Sequence, residues 1–176
     1  MRHLAPRLYF LDEFGVHLGL TRLFGRAAPG RRVVEGTPGY SGPHYTVVAA
    51  LGARGVVAPL MLEGSMNKTT FEGYVQGCLA PALSRGDIVL MDNLSAHKGD
   101  AVREAILGRG AGLVYLPPYS PDLNPIEQCW SKVKTALRAA KARAVDALLN
   151  ALGVALKSIN AKDVIAWWKH CGYTVN

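Results

Sequence analysis

The segment from Leu116 to Glu127 constrains the fold more than any other part of this chain. It contains four prolines, at positions 117, 118, 121 and 125, which restrict the backbone of a short loop. Pro125 suits the first turn of a helix, and Glu127 follows within that turn. The segment therefore predicts a rigid loop that delivers one carboxylate onto the start of a helix.

Two further acids close apolar runs that are typical of buried strands. Asp12 ends the run 7–12, and Asp92 ends the run 87–92. If these strands are parallel neighbours, both side chains emerge at the same edge of the sheet, where α/β folds place their sites. We therefore expect Asp12, Asp92 and Glu127 to lie together.

The order of the remaining patterns predicts an α/β protein with a mixed central sheet flanked by helices. Runs 45–51 and 55–62 predict a hairpin, run 112–116 predicts a further buried strand, and the Gly-, Pro- and Arg-rich stretch 22–43 predicts a loop. Helices are predicted at 67–83, capped by Asn67, at 96–107, capped by Ser95, from 125 onward, at 145–159 and near the end of the chain. With 176 residues and no linker or repeat, the chain is expected to form one domain.

Composition excludes several classes of protein. The hydrophobic content is 49% and the charged content 19%, yet no apolar run approaches the ~20 residues of a membrane span, so no membrane contact is expected. Three widely spaced cysteines, Cys78, Cys129 and Cys171, argue against a disulfide framework and a structural zinc site. We therefore expect a protein of the reducing cytoplasm.

The net charge of +7 favours a polyanionic partner such as DNA. The basic residues gather in two stretches, one in the glycine-rich loop and one along the helix after residue 125. The candidate DNA-binding residues are Arg22, Arg26, Arg31, Arg32, Lys134, Arg138 and Lys141. A charged stripe on a helix is equally compatible with a solvated face, and the overall charge is what favours DNA here.

Three carboxylates held by rigid elements predict a metal site. Like charges a few ångströms apart repel each other unless a cation lies between them. Oxygen ligands favour Mg²⁺ or Mn²⁺ over zinc. Two such ions, roughly 3.5–4 Å apart, would activate a water or hydroxyl and stabilise the leaving oxygen of a phosphodiester.

Each candidate also has a structural interpretation. An Asp after a strand is often a turn or cap residue. Asn124, Pro125 and Glu127 have the spacing of a capping box, in which Glu127 would face its own backbone. Glu13 should point to the opposite face of the strand from Asp12 and be solvated.

Other residues near the three acids are candidate supporting groups. Asn93 could orient a water or phosphate near the metals, and His97 could contact DNA or support the metal-binding residues from outside; solvent contact in a first helical turn is the alternative for His97. Asn124 is the third supporting residue. Trp130 shares apolar spacing with Val133 and is expected in the core.

Three blocks carry a resemblance to a known family. They are Leu11-Asp12-Glu13, Met91-Asp92-Asn93 with His97, and the segment Pro117–Glu127 with Trp130. They resemble the catalytic blocks of mariner-superfamily DDE transposases, especially the bacterial insertion-sequence branch. The 34 residues between Asp92 and Glu127 match the spacing typical of that superfamily.

The resemblance implies an RNase H-like catalytic domain over residues 1–176, with Asp12, Asp92 and Glu127 as ligands of two Mg²⁺ or Mn²⁺ ions. It implies cleavage of double-stranded DNA at transposon ends and transfer of the freed 3′ hydroxyl into target DNA, usually at TA. It also implies a homodimer in the active complex. Family members usually carry a helix-turn-helix module ahead of the first Asp, and we expect that module to be absent here, because eleven residues precede Asp12.

Two other functions fit the same residues. The chain could be a non-catalytic DNA-binding remnant of a decayed element, although retention of all three acids argues against it. It could also be another RNase H-like nuclease that acts on RNA–DNA hybrids or junctions. For a transposase of the insertion-sequence branch, the expected location is the bacterial cytoplasm, in association with the nucleoid.

Overall fold

The computed structural model describes residues 7–173 and is built around a five-stranded sheet. Its strands are β1 (Leu8–His17), β2 (His44–Gly52), β3 (Gly55–Glu63), β4 (Ile88–Met91) and β5 (Gly112–Tyr115). Their spatial order is β3-β2-β1-β4-β5. The pairs β1–β2 and β2–β3 are antiparallel, whereas β1–β4 and β4–β5 are parallel, so the predicted mixed sheet is confirmed.

Helices cover both faces of the sheet. They are α1 (Lys68–Tyr74), α2 (Ala80–Ala82), α3 (Asp100–Leu107), α4 (Ile126–Ala140), α5 (Val145–Lys157) and α6 (Ala161–His170). A π-helical turn, Val75–Leu79, joins α1 to α2. Pro81 lacks an N–H and would clash with a carbonyl one turn earlier, which accounts for the widened turn. None of the helices between residues 7 and 173 is long and apolar enough to cross a membrane.

Side-chain alternation along β1 divides the core into two layers. Phe10 and Phe14 belong to the layer that includes α4, α5 and α6, whereas Leu11 belongs to the layer that includes α1 and α3. The Phe14 and Trp130 ring centroids are 4.5 Å apart, which fixes α4 against β1. Trp130 is buried, as predicted from its apolar spacing.

The first strand is longer than predicted. The expectation that it ends at Asp12 is wrong, because β1 continues to His17 by pairing with β2 from Phe10↔Leu51 to His17↔His44. Phe14 and Val16 are buried on alternate positions, so the pattern of a half-buried strand extends past the acids. Asp12 therefore sits inside a strand, at the point where parallel pairing to β4 stops.

The helix predicted from residue 96 begins later. Ser95–His97 form a short 3₁₀ turn, and α3 starts at Asp100 after Gly99 as N-cap. Ser95 therefore does not cap this helix, and the prediction is wrong at that point. The consequence is that His97 lies in the connection that follows β4, beside the acidic edge of the sheet.

The predicted loop is present and spans residues 18–43 without a helix or strand. Arg143 holds its first part, because the guanidinium donates hydrogen bonds to the carbonyls of Leu18 and Leu20, both at 2.9 Å. Lys141 and Glu35 form an ion pair that attaches a later part of the loop to the end of α4. The long connection is thus held against the α4–α5 side of the molecule.

Candidate active site

Strand register places the first two acids together. The last parallel pair of β1 and β4 is Leu11↔Met91, so Asp12 and Asp92 come next on adjacent strands. Such neighbours emerge at the same edge of the sheet, as the apolar runs predicted. β1 is antiparallel to β2 on its other side, which keeps Asp12 rigid although it is not at a strand end.

A pocket of about 350 Å³ lies over this edge. Asp12, Asp92 and Glu127 line it together with Asn93 and Asn124, and the loop 116–121 forms its opposite wall. The structure therefore brings all three predicted acids and two of the predicted supporting residues to one cavity. The proline-rich segment supplies both a wall and, through α4, the third acid.

The start of α4 differs from the predicted capping box. The helix begins at Ile126, and no side chain caps its first turn, so Asn124 does not act as the N-cap side chain. Asn124 is 5% exposed, and its buried Oδ1 has no hydrogen-bond partner among residues 7–173. Glu127 is exposed and lines the pocket. Both polar groups are thus available to a ligand in the cavity.

The surroundings of Asp12 raise the pKa of its carboxyl group. Burial raises the pKa of its carboxyl group, and the nearby Glu127, Glu13 and Asp92 raise it further, to about 7, against one opposing backbone hydrogen bond. Unneutralised negative charge of this kind favours a proton or a cation at the site. A proton or cation beside Asp12 would therefore stabilise the folded protein.

Asp92 has the opposite behaviour because it has a partner. Burial alone would raise its pKa, but the hydrogen bond and charge of His97, with the Leu94 N–H, hold the pKa below its usual value. The Nδ1 atom of His97 lies 2.5 Å from Asp92 Oδ1, and the Leu94 N–H donates to the same oxygen at 3.2 Å. One oxygen of Asp92 is thus committed to the protein.

His97 is buried rather than solvated, so the solvent interpretation is wrong. Its side chain is 2% exposed, and its ring stacks on Phe71 with centroids 4.1 Å apart. Burial would lower the pKa of His97, but its contacts with Asp92 and Glu13 raise it to about 9. His97 does not line the pocket; it supports Asp92 from behind.

Glu13 is the neighbour that sequence reasoning placed in solvent. It does point away from Asp12, but its Oε2 atom is buried and lies 3.5 Å from His97 Nε2. That distance is longer than an ordinary hydrogen bond, so the contact is mainly electrostatic. The partners are distant in sequence, and only the register of β1 on β4 reveals the contact.

The acids are close but not yet arranged around an ion. Among residues 7–173, no group of three or more His, Cys, Asp and Glu side chains is placed so that it could hold a metal ion. Asp12, Asp92 and Glu127 supply only oxygen donors, which suit hard divalent cations.

Residues 7–149 match the DDE superfamily endonuclease family. The chain belongs to this family. It is 30% identical to the transposable element Tc1 transposase of Caenorhabditis elegans over 102 residues, which cover 56% of this chain and 37% of that protein. The aligned part of the chain thus covers little more than a third of the length of this curated relative.

Solved structures show the same fold at low sequence identity. A pre-cleavage Mos1 transpososome matches with a TM-score of 0.70 and 18% identity, covering 96% of this chain and 53% of that one. The mariner Mos1 paired end complex with Mg matches with a TM-score of 0.69 and 16% identity, covering 94% and 53%. These likenesses confirm the predicted RNase H-like fold.

The basic residues of this DDE domain fall into two groups that partly meet. Arg22 and Arg138 line one shallow pocket of about 270 Å³, although they belong to the loop and to α4. Arg26, Arg31 and Arg32 are exposed on the loop. Their charged groups therefore face solvent.

The last two basic candidates are engaged with protein groups. The Lys134 ammonium lies 5.2 Å from the centroid of the Phe14 ring. Lys141 follows α4 with φ of 51° and pairs with Glu35, so it does not continue the stripe of Lys134 and Arg138 along the helix. Its charge is therefore partly neutralised.

One further residue at the pocket was not singled out from sequence. Tyr119 lines the cavity, is fully exposed, and has a left-handed backbone with φ of 56°. Glycine or asparagine usually occupies such a position, so a tyrosine there is unusual. The neighbouring prolines mark the loop, but no sequence signal distinguishes this backbone conformation.

Proposed function

We propose that this chain is the catalytic domain of a transposase. It cuts DNA phosphodiesters at transposon ends and transfers the freed 3′ hydroxyl into target DNA. The observation that carries the proposal is the convergence of Asp12, Asp92 and Glu127 on one pocket from three separate segments. Membership of the DDE endonucleases and the similarity to a protein named as a transposase support it.

The proposed cofactor is a pair of divalent cations, Mg²⁺ or Mn²⁺. The oxygen-only donor set and the raised pKa of Asp12 support a site that attracts positive charge. Two of the similar Mos1 structures are named as complexes with Mg and with Mn. Such ions, when bound, activate the attacking water or hydroxyl and stabilise the leaving oxygen.

The side chains have separate roles in this proposal. Asp12 and Asp92, on adjacent strands, would share the ions, and Glu127, on α4, would hold one of them. Asn93 and the buried, unpartnered Oδ1 of Asn124 orient the scissile group or its water. His97, which does not line the pocket, holds Asp92 in place.

The DNA backbone is proposed to lie across the loop and α4. The basic candidates there are Arg22, Arg26, Arg31, Arg32, Lys134, Arg138 and Lys141. Because the residues come from two segments that meet at Arg22 and Arg138, one duplex can contact both. Phosphate contacts of this kind position the substrate without reading its sequence.

The remaining assignments concern the whole protein. We propose one domain over residues 1–176, a bacterial insertion-sequence origin, a cytoplasmic location with the nucleoid, and a dimer that pairs two DNA ends. A helix-turn-helix module outside this domain would recognise the ends. The three sequence blocks support the origin, and the greater length of the relatives supports the module.

The proposal is tested by nicking of supercoiled plasmid with Mg²⁺, Mn²⁺ or EDTA. The variants are Asp12→Asn, Asp92→Asn and Glu127→Gln, each of which removes charge at similar shape. Asp163→Asn is the matched control, because Asp163 pairs with Lys132 away from the pocket. We expect metal-dependent nicking by the wild type and the control, and a loss of at least about 100-fold in each acid variant.

The outcomes separate the alternatives. An acid variant that nicks as fast as the wild type would remove that residue from the site. DNA binding without nicking in any metal favours the remnant, unless addition of a helix-turn-helix module restores cleavage. Preferential cleavage of an RNA–DNA hybrid over duplex DNA would favour the other RNase H-like nuclease.

A further inference from the structure

The ring of His97 has described neighbours at both of its nitrogens and on one of its faces. Nδ1 contacts Asp92 Oδ1 at 2.5 Å, and Nε2 faces Glu13 Oε2 at 3.5 Å. One ring face stacks on Phe71. The backbone carbonyl of His97 accepts a hydrogen bond from Tyr115 at 3.1 Å. The imidazole therefore has little freedom to turn.

A carboxylate can only accept hydrogen bonds. His97 lies between two carboxylates, so each of its ring nitrogens faces an acceptor and the ring is held from both sides. Glu13 supplies the second of these two negative charges. Within the described residues, Glu13 Oε2 has no hydrogen-bond donor at normal distance, so His97 is the group it acts on.

The consequence falls on Asp92. Its Oδ1 receives the His97 ring and the Leu94 N–H, which leaves Oδ2 for a ligand in the pocket. We propose that Glu13 is a positioning residue which, acting through His97, fixes the Asp92 carboxylate for the cleavage reaction. This inference rests on the proposed function, because Asp92 is assigned there as a metal ligand.

The carboxylate of Glu13 contributes little to the stability of the fold. A buried carboxylate oxygen without a normal hydrogen bond costs free energy rather than contributing it. The strand could accept a neutral side chain at that position, since Glu13 lies beside Leu11 on the layer that contains Phe71. The carboxylate is therefore better explained by its action on His97 than by packing.

The test measures Mn²⁺ affinity directly by electron paramagnetic resonance, without DNA. The proteins are the wild type, Glu13→Ala, His97→Gln and the double variant, with Asp163→Asn as control because its side chain is 23% exposed against 22% for Glu13. We expect each single variant to weaken Mn²⁺ binding by about tenfold, as is typical for groups that orient a ligand. The double variant should lose no more than His97→Gln alone, because both act on one carboxylate.

Glu13→Gln is a matched comparison, since it keeps the shape of the side chain and removes the charge that faces His97. It should weaken Mn²⁺ binding about as much as Glu13→Ala, whereas a purely structural role would show as wild-type affinity in Glu13→Gln and a lower melting temperature in Glu13→Ala. Wild-type Mn²⁺ affinity in Glu13→Ala would overturn the inference. Additive losses in the double variant would overturn it as well.

A metal-free crystal structure of Glu13→Ala separates this inference from the proposed function. A reoriented Asp92 carboxylate supports the positioning role whether or not the protein cuts DNA. An Asp92–His97 contact unchanged from the wild type overturns it. Absence of Mn²⁺ binding and of nicking in the wild type would instead count against the proposed function, and the structure would still decide the role of Glu13.

Discussion

Asp12 is the residue whose ionisation should control the stability of the metal-free protein. Its folded-state pKa of about 7 lies above the unfolded value. The folded state therefore binds more protons between about pH 4 and pH 7, and stability falls as pH rises through that window. Asp12→Asn removes the loss, so in EDTA at about pH 8 the variant should be more stable by about 2 kcal/mol, allowing for partial exposure. Urea unfolding measures it.

The free energies of unfolding of the wild type and Asp12→Asn must be compared at each pH, because His97 also titrates with a raised pKa of about 9. Its contribution is present below its unfolded pKa and is lost as pH rises towards 9, in both proteins. The advantage of Asp12→Asn should shrink as the pH approaches about 4, where Asp12 is protonated in both states. A constant difference across the whole range would contradict the raised pKa.

Tyr119 carries backbone strain without packing to offset it. Its φ is 56° and its side chain is fully exposed. A left-handed conformation costs a non-glycine residue of order 1 kcal/mol, and asparagine tolerates it better. Tyr119→Asn should therefore raise the free energy of unfolding by about 0.5 kcal/mol. Tyr119→Ala, which keeps the strain, should show no gain in the same urea titration.

At the scale of elements, regular patterns were predictable and local exceptions were not. The hairpin, four of the strand positions and α4 to α6 follow from alternation, helical spacing and turn residues. The end of β1 was misjudged because charged Asp12 and Glu13 interrupt an alternation that Phe14 and Val16 resume. The start of α3 was misjudged because Ser95 is a good cap that the structure uses only for a 3₁₀ turn.

The candidate site also has parts that its sequence predicts and parts that depend on tertiary packing. Asp12, Asp92 and Glu127 could be placed together from strand ends and a helix start, since sheet geometry dictates where such positions meet. The contact of Glu13 with His97 depends on how the connection after β4 packs on Phe71, which no local pattern encodes. The unpartnered Oδ1 of Asn124 likewise depends on a helix start one residue later than the capping pattern suggests.

One carboxylate, Asp163, both pairs with α4 and caps α6. Asp163 accepts from Lys132 Nζ at 2.8 Å and from the Asn160 N–H at 3.1 Å, which completes the capping box of α6. The contact with Lys132 lowers the pKa of Asp163 most, and the hydrogen bond from Asn160 lowers it further. Its stabilisation is therefore present above about pH 4, the unfolded value, and is lost as pH falls below it.

Replacement of that carboxylate should cost stability only where it is ionised. Asp163→Asn should lower the free energy of unfolding by about 0.5 kcal/mol at neutral pH, because the amide oxygen still accepts from Asn160 while the partly exposed ion pair with Lys132 is lost. The difference should vanish in strong acid, as urea unfolding at several pH values will show. A loss that persists unchanged in acid would mean that packing, not charge, is responsible.

On the scale of the whole molecule, the long loop converts two separate basic segments into one surface. Arg143 binds the start of the loop, and Lys141 binds Glu35 further along. These contacts hold Arg22 beside Arg138, which lies on the same helix as Glu127. The charge of +7 is thus directed by tertiary contacts that composition alone does not reveal.

DNA binding should depend on these residues unequally. Each of Arg22→Ala and Arg138→Ala should weaken binding of a short labelled duplex and reduce the slope of log affinity against log salt by about 1, because each removes one phosphate contact. Lys141→Ala should change the slope less, since Glu35 already neutralises that ammonium. Fluorescence anisotropy across a salt series measures both quantities.

Lys157→Ala, at the end of α5, serves as an exposed control of equal charge. If the control and Arg22→Ala reduce the slope equally, net charge rather than this surface attracts the DNA.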